Sequence, residues 1–330
     1  MESDNYEVAK RVITGAKRIL ISGHISPDGD SLGCMIALTK LLRLEGHDAY
    51  AAADLKSIGK LSFLDGVKDI ITLRALKKSR QKFDLFIAVD CNALNRIPAE
   101  VQAIIKDVPK LCFDHHVTNA GNFADVMIVN PAASSTGEII WRFAKWNNWR
   151  LNHEIAEALW VALTTDSGRF AYESTSTDTL LAASDLLKYE VRTALINDII
   201  YAAFSRKAIA LKRRAWQNLR IWKNRKIAEV WLSREDFRNV KGTKSDAEDI
   251  IEIPRQVSGN EIAIFYYEIP DRTKETRCSI RTRGKWDATK IASAFGGGGH
   301  IRAAGCTINA PIRKARGMVR AVIKEMLKNG

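Results

Sequence analysis

The stretch Lys110-Leu111-Cys112-Phe113-Asp114-His115-His116 decides how this chain is read. Its first four residues form a short apolar run of strand character, and an acid followed by two imidazoles at the end of that run gains nothing from packing. Proteins that cover a parallel sheet with helices place their chemistry at such carboxyl ends. A lone polar triplet closing a strand is as often plain surface, so the weight falls on the acidic clusters around it.

Working outward, the same arrangement recurs. A strand over 18–23 runs into Gly23-His24-Ile25-Ser26-Pro27-Asp28-Gly29-Asp30, where Pro27 and Gly29 force a turn that lets His24, Asp28 and Asp30 converge. Asp30 or Ser31 can cap a helix running through Leu42, with Gly46 as its stop signal. Further strands are predicted over 48–53, 84–89 and 126–129, with a helix near 100–106, and Asp90 closes the apolar run 84–89. Helical spacing then dominates over 136–146, 155–163, 179–188 and 193–203. Nearly continuous apolar strands alternating with helices predict an α/β domain with a mostly parallel sheet covered by helices. A basic helix over about 206–222 reads as a linker. Strands over 227–232, 261–268 and 277–281 and helices near 287–295 and 312–328 make a smaller α+β domain. The expected division is 1–204, a linker helix 205–223, and 224–330.

Composition bounds the class of protein. A chain of 330 residues is long enough for two cores, and 46% hydrophobic with 27% charged residues is the balance of an ordinary globular protein. The five cysteines are odd in number and scattered without a Cys-x-x-Cys pair, so they read as reduced core residues and not as disulfides or zinc ligands. The acidic, polar start Met1-Glu2-Ser3-Asp4-Asn5 gives the expectation of no secretory signal, and no apolar run reaches membrane-spanning length. A cytoplasmic protein is expected. The net charge of +13, concentrated in 206–226, 272–290 and 313–328, favours an anionic partner, although each run alone reads as a solvated helix face.

One more acid completes the chemistry. Asp166, in Thr164-Thr165-Asp166-Ser167-Gly168, closes an apolar helical run at the end that disfavours negative charge, which calls for a compensating cation. His24, Asp28, Asp30, Asp90, His115 and Asp166 then supply four carboxylates and two imidazoles and no thiolate, a donor set suited to Mn²⁺ or Mg²⁺. Four carboxylates balance two divalent cations, and Asp90 is the candidate to bridge them. Two such ions roughly 3.5–4 Å apart suit hydrolysis of a phosphate ester.

These residues resemble the DHH phosphoesterase superfamily. The likeness covers essentially the whole chain: HISPDGD at 24–30, VDCN at 89–92, DHH at 114–116, TTDSGRF at 164–170 and GGGGHIRAAG at 296–305, in the family's order. The nearest resemblance is to the NrnA-like subgroup of short-oligonucleotide nucleases, whose second half is the DHH-associated domain. It implies two Mn²⁺ ions (Mg²⁺ as the alternative), one held by His24, Asp28 and Asp90, the other by Asp90, His115 and Asp30 with Asp166 completing the set. Asp114 would orient His115 from behind, and His116 would serve the scissile phosphate as donor or general acid. Gly297, Gly298 and Gly299 can surround an anion with backbone N–H groups. With His300 and Arg281 they match positions that bind the terminal phosphate or nucleotide in the family. Arg277 and Arg283 are near enough to replace Arg281, and Ser134-Ser135-Thr136 reads as no more than a helix cap.

The implied activity is exonucleolytic hydrolysis of very short RNA, with release of phosphate from 3′-phosphoadenosine 5′-phosphate as a second activity. The alternatives are a cyclic or linear dinucleotide phosphodiesterase, a RecJ-like single-stranded DNA exonuclease, and a non-catalytic nucleic-acid-binding protein with an inert metal site. Substrate is expected in a cleft between the domains, with the basic linker as hinge. Short RNA or nucleotides are the expected partners, no membrane is, and a homodimer is left open.

Overall fold

The computed structural model describes residues 2–79, 81–116, 123–224, 226–268 and 274–327. They divide into two compact units, Met1–Ile200 and Tyr201–Gly330. Among the described residues no helix is long and apolar enough to cross a membrane.

In the first unit the strands are β1 (Arg18–Ser22), β2 (Asp48–Ala53), β3 (Ile71–Thr72), β4 (Leu85–Val89), β5 (Lys110–Asp114) and β6 (Val126–Val129). The helices are α1 (Glu2–Thr14), α2 (Gly29–Leu44), α3 (Leu73–Lys78), α4 (Ala99–Ile104), α5 (Thr136–Trp146), α6 (His153–Asp166), α7 (Thr177–Leu186) and α8 (Thr193–Asn197). The sheet runs β3-β2-β1-β4-β5-β6 with every neighbouring pair parallel. Alternation along each strand explains why both faces are apolar. Ile19, Ile21, Leu85, Ile87, Leu111 and Phe113 pack with α2, α5 and α6, whereas Leu20, Phe86, Ala88 and Cys112 pack with Leu76 of α3 and Val101 of α4. Strand order reverses between β1 and β4, and the carboxyl ends of adjacent strands diverge at such a point, opening a crevice. His24 follows β1 and Asp90 follows β4, so the topology alone puts them side by side.

Helix α2 sits deep in this unit. A Cβ on Gly33 would lie 2.4 Å from the Ala158 carbonyl oxygen of α6, so only glycine lets the two helices approach this closely. That contact brings the start of α2, with Asp28 and Asp30, toward the end of α6, with Asp166.

The second unit holds β7 (Arg220–Trp222), β8 (Ile227–Leu232), β9 (Ile262–Glu268), β10 (Thr276–Thr282), β11 (Gly298–His300) and β12 (Ala303–Ile308), in the order β11-β12-β10-β9-β8-β7. Among the described residues of this unit, only β8 and β9 pair in parallel. Its helices are α9 (Arg206–Gln217), α10 (Arg234–Val240), α11 (Glu252–Arg255), α12 (Ala288–Ser293) and α13 (Ile312–Met326). Residues of α12 and α13 bury one face with Ile264, Tyr266 and Ile280, while Leu211 and Ala215 of α9 join Phe237, Val230 and Phe265 on the other. The fold is therefore two mixed α/β units, the first built on a parallel sheet.

Three expectations are corrected. The basic helix expected to reach Trp222 ends at Gln217, where Asn218 closes it and donates its side-chain amide to the Trp231 carbonyl at 2.8 Å; residues 220–222 become the edge strand β7. The helix expected over 193–203 is α8 followed by a π turn at Asp198–Ala202. The cap of α2 is Asp28 and not Asp30 or Ser31, its Oδ1 accepting the Ser31 N–H. Gly298 and Gly299 belong to β11, paired with Gly305 and Ala304 of β12.

Candidate metal centre

Five elements, β1, α2, β4, β5 and α6, deliver the acidic and imidazole side chains. His24 follows β1 and is buried; its Nδ1 lies 2.9 Å from the Ile25 carbonyl oxygen, which can only accept, so Nδ1 carries the proton. Nε2 is then the atom turned to the acids, 3.4 Å from Asp90 Oδ2 and 3.7 Å from Asp28 Oδ2. Asp28 caps α2, its Oδ1 accepting the Ser31 N–H at 3.1 Å. His115, after β5, repeats the pattern: Nδ1 lies 3.3 Å from the Ala133 carbonyl, and Nε2 lies 3.0 Å from Asp166 Oδ2, 3.7 Å from Asp90 Oδ1 and 3.8 Å from Asp30 Oδ2.

Asp90 is the hub. Its two oxygens face different imidazoles, Oδ2 toward His24 and Oδ1 toward His115. Its backbone is left-handed, φ 56°, a conformation that aspartate tolerates better than most residues and that turns its side chain sharply off the end of β4. Three trios could each hold a cation, their ligand atoms within 4.8 Å of one another: His24, Asp28 and Asp90; Asp30, His115 and Asp166; and Asp90, His115 and His116. The last is weakened by His116 Nδ1, which donates to Asp114 Oδ1 at 2.6 Å.

Asp114 thus does something other than expected. Its Oδ1 accepts the backbone N–H groups of His115 at 2.8 Å and His116 at 3.2 Å as well as the His116 ring. The imidazole that Asp114 orients is His116; the His115 ring takes its direction from Ala133. A carboxylate one residue away reaches the backbone N–H of its neighbour more readily than that neighbour's ring.

Charge in this cluster is not balanced from within. Burial pushes the Asp30 carboxyl well above the usual carboxylate range, reinforced by Asp90 and Asp166. Burial likewise raises Asp90, with His24 only partly offsetting it. Burial alone would lower His24 and His115; Asp28 and Asp90 around the first, and Asp166, Asp30 and Asp90 around the second, outweigh it and raise both to about 10. Protons on these groups do what divalent cations would do better. Taking a carboxylate out of water costs several kcal/mol, and each charge-assisted N–H bond returns roughly 1.5–3 kcal/mol, so one or two such bonds per acid do not neutralise the buried Asp30 and Asp90 with Asp28 and Asp166 beside them. Carboxylate and imidazole atoms turned inward, with the imidazole protons tied to carbonyls outside, fit a pair of hard divalent cations.

Sequence reasoning missed the start of α5. The backbone N–H groups of Thr136 and Gly137 donate to Asp30 Oδ2 at 2.7 Å and Oδ1 at 2.9 Å, and the Thr136 hydroxyl donates to Asp90 Oδ1 at 3.3 Å. Ser135 is indeed a cap, accepting the Glu138 N–H. Backbone donors have no residue signature, and the remaining signal was the Ser134-Ser135-Thr136 triplet before an apolar helix.

With this geometry in hand, comparison with known proteins is direct. The DHH family N-terminal domain matches residues 18–163, and the DHHA1 domain matches residues 237–328. The chain belongs to the DHH superfamily. Within it the chain is NrnA-like. It is 24% identical over 306 residues to the bifunctional oligoribonuclease and PAP phosphatase NrnA of Bacillus subtilis, covering 90% of this chain and 91% of that one. The protein of the same name from Thermus thermophilus is 25% identical over 299 residues, covering 88% and 84%. The crystal structure of an exopolyphosphatase-related protein from Bacteroides fragilis shares the fold, with a TM-score of 0.87 at 23% identity over 98% of this chain and 96% of that one.

In the DHHA1 unit, Arg281 is half-buried on β10, on the same side as Arg277 and Ser279, while Cys278 and Ile280 face the core. Arg277 donates to Thr307 Oγ1 at 3.3 Å, and Arg283 is exposed beyond the strand. A Cβ on Gly297 would lie 2.3 Å from the Gly305 carbonyl oxygen, and one on Gly299 2.4 Å from that of Ala303, so close strand packing accounts for glycine at both positions. The side of Gly298 is open. The His300 side chain lies outside the described residues.

Proposed function

We propose that this DHH-superfamily chain is a two-metal phosphodiesterase that removes nucleotides from the end of very short RNA, and that it also hydrolyses 3′-phosphoadenosine 5′-phosphate. The observation that carries the reading is Asp90, with one oxygen toward His24 and the other toward His115. The names of the Bacillus and Thermus relatives support the substrate class. His24, Asp28 and Asp90 would hold one Mn²⁺ or Mg²⁺, and Asp30, Asp90, His115 and Asp166 the other. When bound, the pair supplies an acidified water and neutralises charge on the phosphoryl oxygens.

The chain's own residues do the rest. Asp114 accepts the Nδ1–H of His116 and so fixes the ring; when the imidazole is doubly protonated, the second proton, on Nε2, is the one that can pass to the leaving oxygen. Arg281 and the backbone of Gly297, Gly298 and Gly299, with His300, would take the terminal phosphate, which restricts the enzyme to chain ends. The cytoplasm is the compartment this reading implies.

The test is a substrate panel. Purified protein with Mn²⁺, offered di- to pentaribonucleotides, the matching deoxyribonucleotides, cyclic dinucleotides and 3′-phosphoadenosine 5′-phosphate, is expected to cleave the short RNAs fastest, release mononucleotides and stop on chelation. Turnover confined to cyclic dinucleotides, or activity that survives chelation, overturns the proposal.

A further inference from the structure

We infer that Thr136 is a positioning residue for the metal centre, acting through Asp90, and that the start of α5 is built to hold it still. The inference rests on the metal-dependent reading above. Thr136 is fully buried and meets both hub acids: its N–H donates to Asp30 and its hydroxyl to Asp90 Oδ1. Asp30 has a rigid backbone donor on each oxygen, so its plane is set twice over. Asp90 has no such frame. A carboxylate turns broadly about its last torsion, and a bridging one must keep a particular oxygen toward each ion. The Thr136 hydroxyl marks Oδ1, the oxygen near His115 and His116, and leaves Oδ2 to His24.

The surroundings of Thr136 hold it in place. Ser135 caps the helix, and Glu138, wholly buried, accepts the Ser134 N–H at 3.0 Å, the Ser134 hydroxyl at 2.8 Å and the Thr179 hydroxyl at 2.8 Å. Arg142 joins Glu138 at 2.5 Å to Asp178 at 2.9 Å, fastening the first turns of α5 to α7. At Gly137 a Cβ would lie 2.6 Å from Ala162 Cβ, so α5 also presses on α6, the helix that ends in Asp166. Of these groups only the Gly137 N–H, on Asp30, is shown touching an acid of the centre. Their common effect is to fix where the Thr136 hydroxyl points.

The consequence is unequal. Losing the hydroxyl frees Oδ1, so the ion on the His115 side weakens while the ion on the His24 side is spared. The experiment is Mn²⁺ titration of the full chain by electron paramagnetic resonance, alongside turnover of a diribonucleotide, for wild type, Thr136→Val and Thr136→Ser. Wild type is expected to bind two ions. Thr136→Val should keep one ion within about twofold and lose about tenfold to a hundredfold in affinity for the other, with kcat falling and KM little changed. Thr136→Ser should restore both. Thr136→Ala, measured in parallel, carries the same expectation and keeps the test open where Thr136→Val does not fold. Wild type that binds two ions, with both hydroxyl-free variants indistinguishable from it, overturns the positioning role alone. Wild type that binds no Mn²⁺ overturns the proposed function with it.

Discussion

Two acidic sites, one in each unit, handle charge in opposite ways. In the second, Glu229 on β8 is fully buried between Arg316, at 2.5 Å, and Arg320 of α13, and the Arg316 guanidinium lies 3.3 Å from the centroid of the Trp231 ring. In the first, the buried Asp30 and Asp90 and the more exposed Asp28 and Asp166 converge on the His24 and His115 imidazoles. A buried acid that the fold neutralises itself belongs to the scaffold. Acids that the fold gathers and leaves short of positive charge make a place for something the chain does not encode.

That contrast breaks cleanly under substitution. The largest expected effect is Asp90→Asn, which keeps the shape and removes the bridging charge: turnover should fall at least about a thousandfold, given the several kcal/mol such metal sites contribute to the transition state. Since burial and neighbouring acids already raise Asp90, the chelated variant should melt no lower than chelated wild type. A clear drop in melting temperature would place Asp90 with the scaffold acids. Glu229→Gln should do the reverse, leaving the partly buried Arg316 and Arg320 without their carboxylate at a cost of about 1–3 kcal/mol while kcat of the folded fraction stays at the wild-type value. Denaturant unfolding with and without Mn²⁺ reads the first, and turnover per folded molecule the second.

A smaller effect sharpens the comparison through pH. His24 and His115 are raised to about 10, above the ordinary imidazole value of 6.5, so the fold favours their protonated forms. Their contribution is complete below pH 6.5 and is lost as pH rises through 10. Chelated wild type should therefore lose stability between pH 7 and 10, and a His24→Gln, His115→Gln double variant should lose less over that window. Equal slopes would mean that the imidazoles are not carrying the charge compensation.

How much of this could be read without coordinates depends on whether the information is local. Strands 48–53, 126–129 and 227–232 were expected with the boundaries they have, because each is an apolar run between polar breaks. The two-residue β3 and the edge strand β7 were not: β3 owes its pairing to β2, earlier in the chain, and β7, although it pairs with the adjoining β8, continues a basic run of helical spacing. Gly297 and Gly299 drew notice as a possible phosphate nest; what demands glycine there is the approach of β12, whose residues carry no motif for it. At the centre, every acid and imidazole was marked in advance by its position after a strand or at a helix end. The Thr136 and Gly137 donors were not, because any residue supplies an N–H.

The sequence by itself determined which acids and imidazoles are candidates for the chemistry and that they follow strands or bound helices, since residue identity and apolar periodicity are properties of single segments. Only the tertiary structure decided how they are aimed: which oxygen of Asp90 faces which imidazole, that Asp114 holds His116, and that α5 clamps Asp30. Those choices depend on the reversal of strand order between β1 and β4 and on glycine-close helix packing, both of which bring together atoms from segments tens of residues apart.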